Sequence, residues 1–156
     1  MNLLRRKFLK TATYIGATAS VIGSGVLFPQ RVLGAYNAAA FEAKDVSGAL
    51  TTSLGSDQHT PSDTIKLKAP DIAENGAVVP ITVSSTMENV EAISIVVPTN
   101  PSPLTSTYQL SPDAEAYVST RVKMGKTSDV IAVLKADGKL YSATKEVKVT
   151  IGGCGG

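Results

Sequence analysis

The sequence predicts an all-β fold, an immunoglobulin-like β-sandwich behind a short N-terminal helical segment. From Thr64 onward, short runs of β-branched residues recur about every 8–12 residues, which is typical of sandwiches. Turn-forming residues separate these runs, as at Asn75-Gly76, Asn100-Pro101 and Asp137-Gly138. A chain of this length has room for one such domain behind a leader segment. A small open barrel is the alternative architecture.

Residues 36–63 are predicted to form one helix followed by a loop. Asn37 is suited to cap the helix, and Gly55 is suited to end it. A polar loop from Ser56 to Asp63 then contains His59, the chain's single histidine. The apolar residues of the predicted helix are Phe41, Val46, Leu50 and Leu54.

The predicted sandwich domain covers residues 64–151, and Asp137-Gly138 predicts a type I′ hairpin between its last two strands. The seven predicted strands are Thr64–Lys68, Ala77–Ser84, Val90–Val97, Thr105–Leu110, Glu115–Met124, Asp129–Lys135 and Lys139–Ile151.

Alternation along the strands predicts which residues face the core. In the strand 115–124 the inward residues are predicted to be Ala116, Val118, Val122 and Met124. The outward residues are predicted to be Glu115, Ser119, Arg121 and Lys123. The strand 129–135 is apolar on both faces, which predicts that it is either central in the sheet or covered on its second face. The inward register of Val147, Val149 and Ile151 would also turn Lys145 inward, so a bulge or bend is expected near Lys145.

The predicted core is poor in large side chains. The chain has no tryptophan, and three tyrosines are the only aromatic residues of its β region. Because each buried aliphatic side chain contributes less apolar area than an aromatic one, a stable partner over an apolar face would help such a sandwich.

The first 35 residues read as a twin-arginine export signal that is cleaved after transport. Arg5 and Arg6 begin an Arg-Arg-x-Phe-Leu-Lys motif, and an uncharged, weakly apolar stretch follows from Thr11 to Phe28. Leu4 stands where this motif usually has Ser or Thr. A retained transmembrane helix is the alternative, but about 18 residues are marginal for spanning a bilayer. The signal predicts a periplasmic protein that is exported folded.

The charge of the chain changes once the leader is set aside. Five of the 15 Lys and Arg residues lie in the leader, which has none of the 13 Asp and Glu residues, so ten cations face 13 acids in the remainder. That remainder has no run of cations to neutralise phosphates. We therefore do not expect this protein to bind nucleic acid.

The C-terminal tail carries the most informative side chain, Cys154, the single cysteine of the chain. It has no internal disulfide partner, and its glycine neighbours offer no side chains to bury it. A thin glycine stalk can enter a narrow pocket on another protein, and Cys154 reaches roughly 10 Å beyond Ile151 when extended. The tail predicts a carrier arm over residues 152–156, with a thiol as the attachment atom. The arm's glycines are Gly152, Gly153, Gly155 and Gly156.

A tail of this composition has three alternative functions: a disulfide crosslink, a lipid attachment site and a ubiquitin-like diglycine end. A single cysteine in an exported protein can form an intermolecular disulfide, although a crosslink needs no glycine frame. Cys-Gly-Gly does not match a prenylation motif. Gly155-Gly156 resembles the diglycine end of ubiquitin-like carriers, but the export signal and the seven short strands argue against that class.

The remaining polar residues predict no enzyme site, metal site or cofactor. His59 and Asp57 alone do not make a metal site, so a solvated histidine is expected. Asp113 and Glu115 are expected to be a solvated pair beside a turn. A single histidine in a loop gives no basis for assigning a Ser-His-Asp catalytic triad. Pro98, Pro101 and Pro103 are expected to stiffen an ordinary loop.

Four stretches of the chain resemble the SoxY family, the sulfur-substrate carriers of the Sox thiosulfate-oxidation pathway. The terminal Gly-Gly-Cys-Gly-Gly after Lys145–Ile151 is the most specific of them. The other three are Ala73–Pro80, Asn100–Leu104 and Val118–Gly125. The resemblance implies that Cys154 holds sulfur intermediates as S-thiosulfonate and persulfide adducts.

The resemblance also implies partners. They are a SoxZ subunit in a heterodimer, a SoxAX c-type cytochrome that joins thiosulfate to the thiol, a SoxB hydrolase and, in some organisms, SoxCD. Export of a folded heterodimer would explain a twin-arginine signal on a protein expected to bind no cofactor. A structural β-sandwich crosslinked through Cys154 is the alternative function.

Overall fold

The computed structural model describes residues 37–150. Both predicted ends, the export signal and the carrier arm, lie outside this range. Within it the chain forms two short helices followed by nine strands. The helices are α1 (Ala38–Glu42) and α2 (Val46–Leu54). The strands are β1 (His59–Pro61), β2 (Ile65–Lys68), β3 (Ile72–Ala73), β4 (Val79–Ser85), β5 (Val90–Val96), β6 (Leu104–Gln109), β7 (Tyr117–Val122), β8 (Ser128–Ala136) and β9 (Lys139–Val149).

The strands form two sheets, which confirms the predicted β-sandwich. The larger sheet has the order β1-β9-β8-β5-β6, and β3 also pairs with β9. The smaller sheet has the order β2-β4-β7, and its three strands are antiparallel. Among the described strands, β1 and β3 run parallel to their neighbour β9, and the other pairs are antiparallel.

The main core lies between the two sheets and is aliphatic. The alternation predicted for the strand 115–124 is confirmed, because its inward residues are buried and its outward residues are exposed. Among the described residues, no aromatic side chain is fully buried. The fully buried large side chains of this core are Val79, Ile81, Val83, Ile93, Ile95, Val97, Met124, Val130 and Leu134.

A second, smaller core covers the outer face of the larger sheet. The helices contribute Ala40, Ala49, Leu50 and Leu54, which pack on Val96, Val133 and Leu140. Strand β8 is therefore buried on both faces, with Val130, Ala132 and Leu134 on one side and Val133 on the other. The prediction that this strand has a cover on its second face is confirmed.

The predicted single N-terminal helix was wrong, because the structure has two. Asn37 caps α1 as expected, accepting a hydrogen bond from the amide of Ala40. The helix then stops at Ala43, whose backbone is extended, and Asp45 caps α2 through the amide of Gly48. The Asp45 side chain accepts a hydrogen bond from a backbone amide of the following turn. This local bond favours the start of a new helix at Asp45 over the continuation of α1. Gly55 ends α2 in the left-handed conformation, as predicted.

The loop predicted from Ser56 to Asp63 contains strand β1. His59, Thr60 and Pro61 pair in parallel with Leu140, Tyr141 and Ser142. Strand β3 was also missed. Both strands have at most three residues and depend on a partner that lies more than 70 residues away in the chain, so no local pattern announces them.

The bulge expected near Lys145 is absent. Strands β8 and β9 keep one uninterrupted register from Ser128↔Val147 to Ala136↔Lys139. Lys145 shares the inward side, but it lies near the open edge, and its ammonium group reaches the carbonyl of Ala69 and the carboxylate of Asp71. Because these two groups bind the Lys145 ammonium, the lysine can keep its inward position without a bulge in β9.

The predicted Asp137-Gly138 hairpin is confirmed. Ala136 pairs with Lys139, which leaves a two-residue turn, and both turn residues have positive φ, 50° at Asp137 and 71° at Gly138. This is the type I′ geometry that matches the twist of the two strands.

Candidate functional site

The residues predicted to carry function lie outside the described range. These are Cys154, the arm glycines Gly152, Gly153, Gly155 and Gly156, and the export arginines Arg5 and Arg6. The structure does describe the chain up to Thr150, just before the predicted arm. We call Lys148, Val149 and Thr150 the arm base.

Every backbone amide of the arm base has a partner. Lys148 N–H donates to the carbonyl of Asp71 at 3.0 Å, and Thr150 N–H donates to the carbonyl of Ala73 at 3.1 Å. On the opposite edge, Val149 N–H donates to the side-chain hydroxyl of Thr127 at 3.0 Å. Because β8 begins only at Ser128, the Thr127 hydroxyl replaces the next main-chain partner of the sheet. The chain is therefore held in the sheet up to Thr150.

Lys145 fastens the segment that contains β3 against β9. Its ammonium lies 3.0 Å from a carboxylate oxygen of Asp71 and donates to the carbonyl of Ala69 at 2.6 Å. The Asp71 side chain is 89% exposed, so the ion pair contributes little to stability. The hydrogen bond to the carbonyl fixes where the lysine lies and keeps β3 beside the arm base.

Gly76 allows two chain segments to meet at the arm base. A Cβ atom on Gly76 would lie 2.3 Å from the carbonyl oxygen of Met124 and 2.8 Å from Cγ1 of Val149. The Gly76 carbonyl accepts a hydrogen bond from Met124 N–H at 2.7 Å. Asn75 supports the turn by accepting from Ala77 N–H. Close approach of the backbone, and not turn formation alone, therefore requires glycine here.

Sequence reasoning missed Thr127 and β3 at this site. Asn75-Gly76 was seen as a turn, but its contact with Val149 depends on strands that are distant in the chain. A threonine that caps a strand amide has no spacing signature comparable with a helix cap. The one available signal was the break in the apolar pattern between Met124 and Val130.

The other candidate residues do not form a reactive site. His59 is half-buried, not simply solvated, and its Nδ1 lies 2.9 Å from the hydroxyl of Ser142. Within residues 37–150 no group of His, Asp or Glu side chains is arranged to hold a metal ion. Asp113 and Glu115 line an open groove of about 540 Å³ together with Glu88. That groove lies at the end of the sandwich opposite the arm base.

Two hydrogen bonds shift the acidity of Asp57. A hydrogen bond from the hydroxyl of Ser47, and a second from the side chain of Gln58, lower the pKa of the Asp57 carboxyl below its usual value of 3.8. This interaction ties the loop after α2 to the first turn of that helix.

No helix within residues 37–150 is long and apolar enough to cross a membrane. The alternative of a retained N-terminal membrane helix concerns residues outside that range.

Comparisons with known proteins give one family. The family model for the sulfur oxidation protein SoxY matches residues 50–154, more than half of the chain. A solved structure of the sulfur carrier protein SoxY from Chlorobium limicola f thiosulfatophilum is 44% identical to this chain. That comparison covers 66% of this chain and 94% of the other, with a TM-score of 0.61. A search of curated proteins found no match.

A second solved structure concerns T cell activation by the bacterial superantigen toxic shock syndrome toxin-1. It is 11% identical to this chain, with a TM-score of 0.40 over 55% of this chain and 99% of the other. A similarity this weak carries no argument about fold or function.

The fold and the arm base define a class of protein: a small β-sandwich whose last described strand is held in the sheet and whose next residue, Thr150, is bound as well. The chain belongs to the SoxY family. The family resemblance inferred from the terminal Gly-Gly-Cys-Gly-Gly and the three internal stretches is thus confirmed.

Proposed function

We propose that this protein is a periplasmic sulfur carrier that holds the intermediates of thiosulfate oxidation on the thiol of Cys154. The observation that carries the proposal is the extent of the family match, which runs through the sandwich and ends at Cys154. The 44% identical relative is described as a sulfur carrier protein, which supports the same role for this chain.

The geometry of the arm base supports a carrier with a short arm. Because the last strand is held at Lys148, Val149 and Thr150, only the residues after Thr150 are available as an arm. Cys154 lies four positions after Thr150, so the arm spans at most roughly 14 Å up to the thiol-bearing residue. Such an arm reaches a pocket on a docked protein but cannot search a large volume.

The proposed chemistry has two balanced steps. First, the Cys154 thiol and thiosulfate form an S–S bond, giving an S-thiosulfonate adduct, one proton and two electrons, and the SoxAX-type cytochrome accepts the electrons. Second, water cleaves the bond between the sulfonate sulfur and its neighbour, which releases sulfate and protons and leaves a persulfide on Cys154. A SoxB-type hydrolase catalyses this second step. Where a SoxCD-type enzyme is present, it accepts six electrons while three oxygen atoms from water join the outer persulfide sulfur with release of protons, and a further hydrolysis follows.

We assign the catalysis to these partner enzymes and not to this chain. A free cysteine has a pKa near ~8.5 and is only slightly ionised at neutral pH, so its nucleophilicity depends on nearby positive charge. The four glycines of the arm provide none. Activation of the thiol therefore takes place in the pocket of the partner. A SoxZ-like subunit is the proposed stable partner, and the twin-arginine signal exports the pair.

A mass measurement tests the proposal against the crosslinking alternative. Reduced protein incubated with thiosulfate and the cytochrome should gain the mass of one thiosulfate group, and Cys154→Ser should gain none. The Cys154→Ser variant should keep the unfolding temperature and partner binding of the wild type. If the wild type gains no mass and only forms disulfide-linked dimers, it is a crosslinked structural protein.

The glycines are tested separately with Gly153→Val. If the arm must thread into a narrow pocket, the added branched side chain should slow loading by the cytochrome. Alkylation of the free thiol by a small reagent should stay near the wild-type rate. Equal loading rates for the two proteins would remove the narrow-pocket explanation of the glycines.

A further inference from the structure

The outer face of the smaller sheet carries charge of one sign. Strand pairing places Lys66 opposite Ser84 and Lys68 opposite Thr82 on this face, and Arg121 lies opposite Pro80. Lys123 continues the outward row just beyond β7 and is exposed. None of the outward positions of β2, β4 and β7 holds an acidic residue.

These four cations are unusual in an acidic domain. Residues 37–150 contain ten Lys and Arg residues and 13 Asp and Glu residues, yet four of the ten cations lie on one face. Glu115, an acid of the same outward row, lies beyond the opposite end of β7 from Lys123. The two ion pairs found among the described residues, Lys135–Glu91 and Lys145–Asp71, involve none of the four. Their charge is therefore available to a partner.

The same face exposes apolar surface. Val78 is 49% exposed and Tyr117 is 57% exposed, and they are two of the three large apolar side chains exposed within the described range. Between them lie small polar side chains, among which Thr82 and Ser119 are hydrogen-bonded across the strands. We call Lys66, Lys68, Arg121, Lys123, Val78 and Tyr117 the basic face. A flat polar surface with a few apolar residues is typical of a transient interface, whereas permanent interfaces are more apolar.

The basic face adjoins the arm base. Val78 lies two residues after Gly76, and Gly76 is in close contact with Val149. Lys123 immediately precedes Met124, whose amide is bound to the Gly76 carbonyl. Because the arm spans at most roughly 14 Å, any enzyme that receives Cys154 must contact the domain at this end.

The other face that meets the arm base does not suit the same partner. Helices α1 and α2 cover part of the outer face of the larger sheet. Toward the arm base, that face carries mixed charge, because the exposed Asp129 and Glu146, which lie opposite each other in β8 and β9, are accompanied by the exposed Lys148. An acidic surface would meet repulsion and attraction together there but net attraction on the basic face, which favours docking through the basic face.

We infer that the basic face is the docking surface for the enzyme that loads Cys154, and that this enzyme presents an acidic surface beside the entrance of its arm pocket. The inference rests on the proposed carrier function and adds to it the surface and the chemistry of recognition. Attraction between the two surfaces raises the encounter rate and brings the arm base to the pocket entrance.

The test reverses charge on the basic face and, as a matched control, elsewhere. Arg121→Glu with Lys123→Glu is compared with Lys44→Glu with Lys139→Glu, two exposed lysines outside the basic face. Both double variants change the net charge equally. The probe is the cytochrome of the proposed pathway, and the measurement is the steady-state loading of thiosulfate onto each carrier at low and high salt.

The expected result is a KM for the basic-face variant that is about 10-fold or more above wild type at low salt, with kcat unchanged. The difference should shrink toward 1 M salt because exposed charges are screened there. The control should stay close to wild type. Alkylation of Cys154 and the unfolding temperature should be alike in all three proteins. If the reversed charges impair folding, Arg121→Gln with Lys123→Gln should give a smaller rise in KM that is also sensitive to salt.

Equal KM values for the two double variants would overturn the docking inference while leaving the carrier function intact, because wild type would still be loaded. A rise in KM that persists unchanged at high salt would also overturn it, since the effect would not be electrostatic. A wild-type protein that is never loaded would overturn the carrier function and the docking inference together.

Discussion

The outer faces of the two sheets differ in how they are covered. The larger sheet is covered by helices, and Leu50 and Leu54 are buried against its residues Val96 and Val133. Within residues 37–150 no helix covers the outer face of the smaller sheet, and its Lys66, Lys68, Ser119 and Arg121 side chains are exposed. Burial under the helices on the larger sheet stabilises the domain, whereas the outer face of the smaller sheet is available for contact with a partner protein. Mutations on the two sides should therefore affect different measurements.

The largest expected effect on stability is on the covered face. Leu50→Ala removes a side chain that is 1% exposed and leaves a cavity under α2, which should lower the free energy of unfolding by about 2–4 kcal/mol. The control is Val78→Ala on the open face, where the loss should be about 0.5 kcal/mol or less. Urea unfolding of both variants measures the difference. Similar losses would show that the open face also contributes to the core.

The next largest effect is expected where the arm base meets the smaller sheet. Gly76→Ala places a Cβ within 2.3 Å of the Met124 carbonyl, so the backbone must shift at a cost of about 1–3 kcal/mol. Gly125→Ala is the matched control, because no atom lies within 4 Å of a Cβ at that position. Thermal unfolding should separate the two variants. An unchanged unfolding temperature for Gly76→Ala would mean that the close approach is easily relaxed.

A smaller effect is expected from the hydroxyl that holds Val149. Thr127→Val keeps the shape of the side chain but removes the acceptor, which should cost about 0.5–1.5 kcal/mol. Amide hydrogen exchange should become faster at Val149, with little change in the central strands β5 and β8. Thr127→Ser retains the acceptor and should restore protection at Val149. If serine and valine exchange alike there, the hydroxyl is not what holds the arm base.

The smallest effect concerns pH on the helical side. The pKa of Asp57 is lowered first by Ser47, so Ser47→Ala should raise it toward its ordinary value, which NMR titration of the carboxyl carbon measures. A carboxyl with a lowered folded-state pKa contributes stability above its unfolded value of 3.8 and loses it as the pH falls through the folded value. The part of any stability difference between wild type and Ser47→Ala that comes from the ionised Asp57 carboxylate should therefore disappear in strong acid. An Asp57 pKa that does not move would exclude Ser47 as the cause.

Local patterns were enough for the elements whose neighbours are close in the chain. The Asp137-Gly138 turn, the glycine that ends α2 and the alternation in β7 need only a few consecutive residues, and all three were predicted correctly. The break between the two helices at Asp45 is also encoded locally, because a capping aspartate needs only the amide three residues later. The apolar pattern from Phe41 to Leu54 nevertheless predicts one continuous helix.

The family-specific end of the chain and its single thiol were determined by the sequence alone, because Cys154 and its glycines need no tertiary contact to be recognised. Only the tertiary structure decided how the chain just before the predicted arm is held. The partners of the arm base, Asp71, Ala73 and Thr127, are 20 or more residues away from it in the chain, and they meet it because β3 and the start of β8 flank β9. The pairing of Lys145 with Asp71 and Ala69, which made a bulge unnecessary, depends on the same meeting of distant segments. Hydrogen bonds between distant strands leave no periodic signal in the sequence, so the attachment atom could be predicted and its anchoring could not.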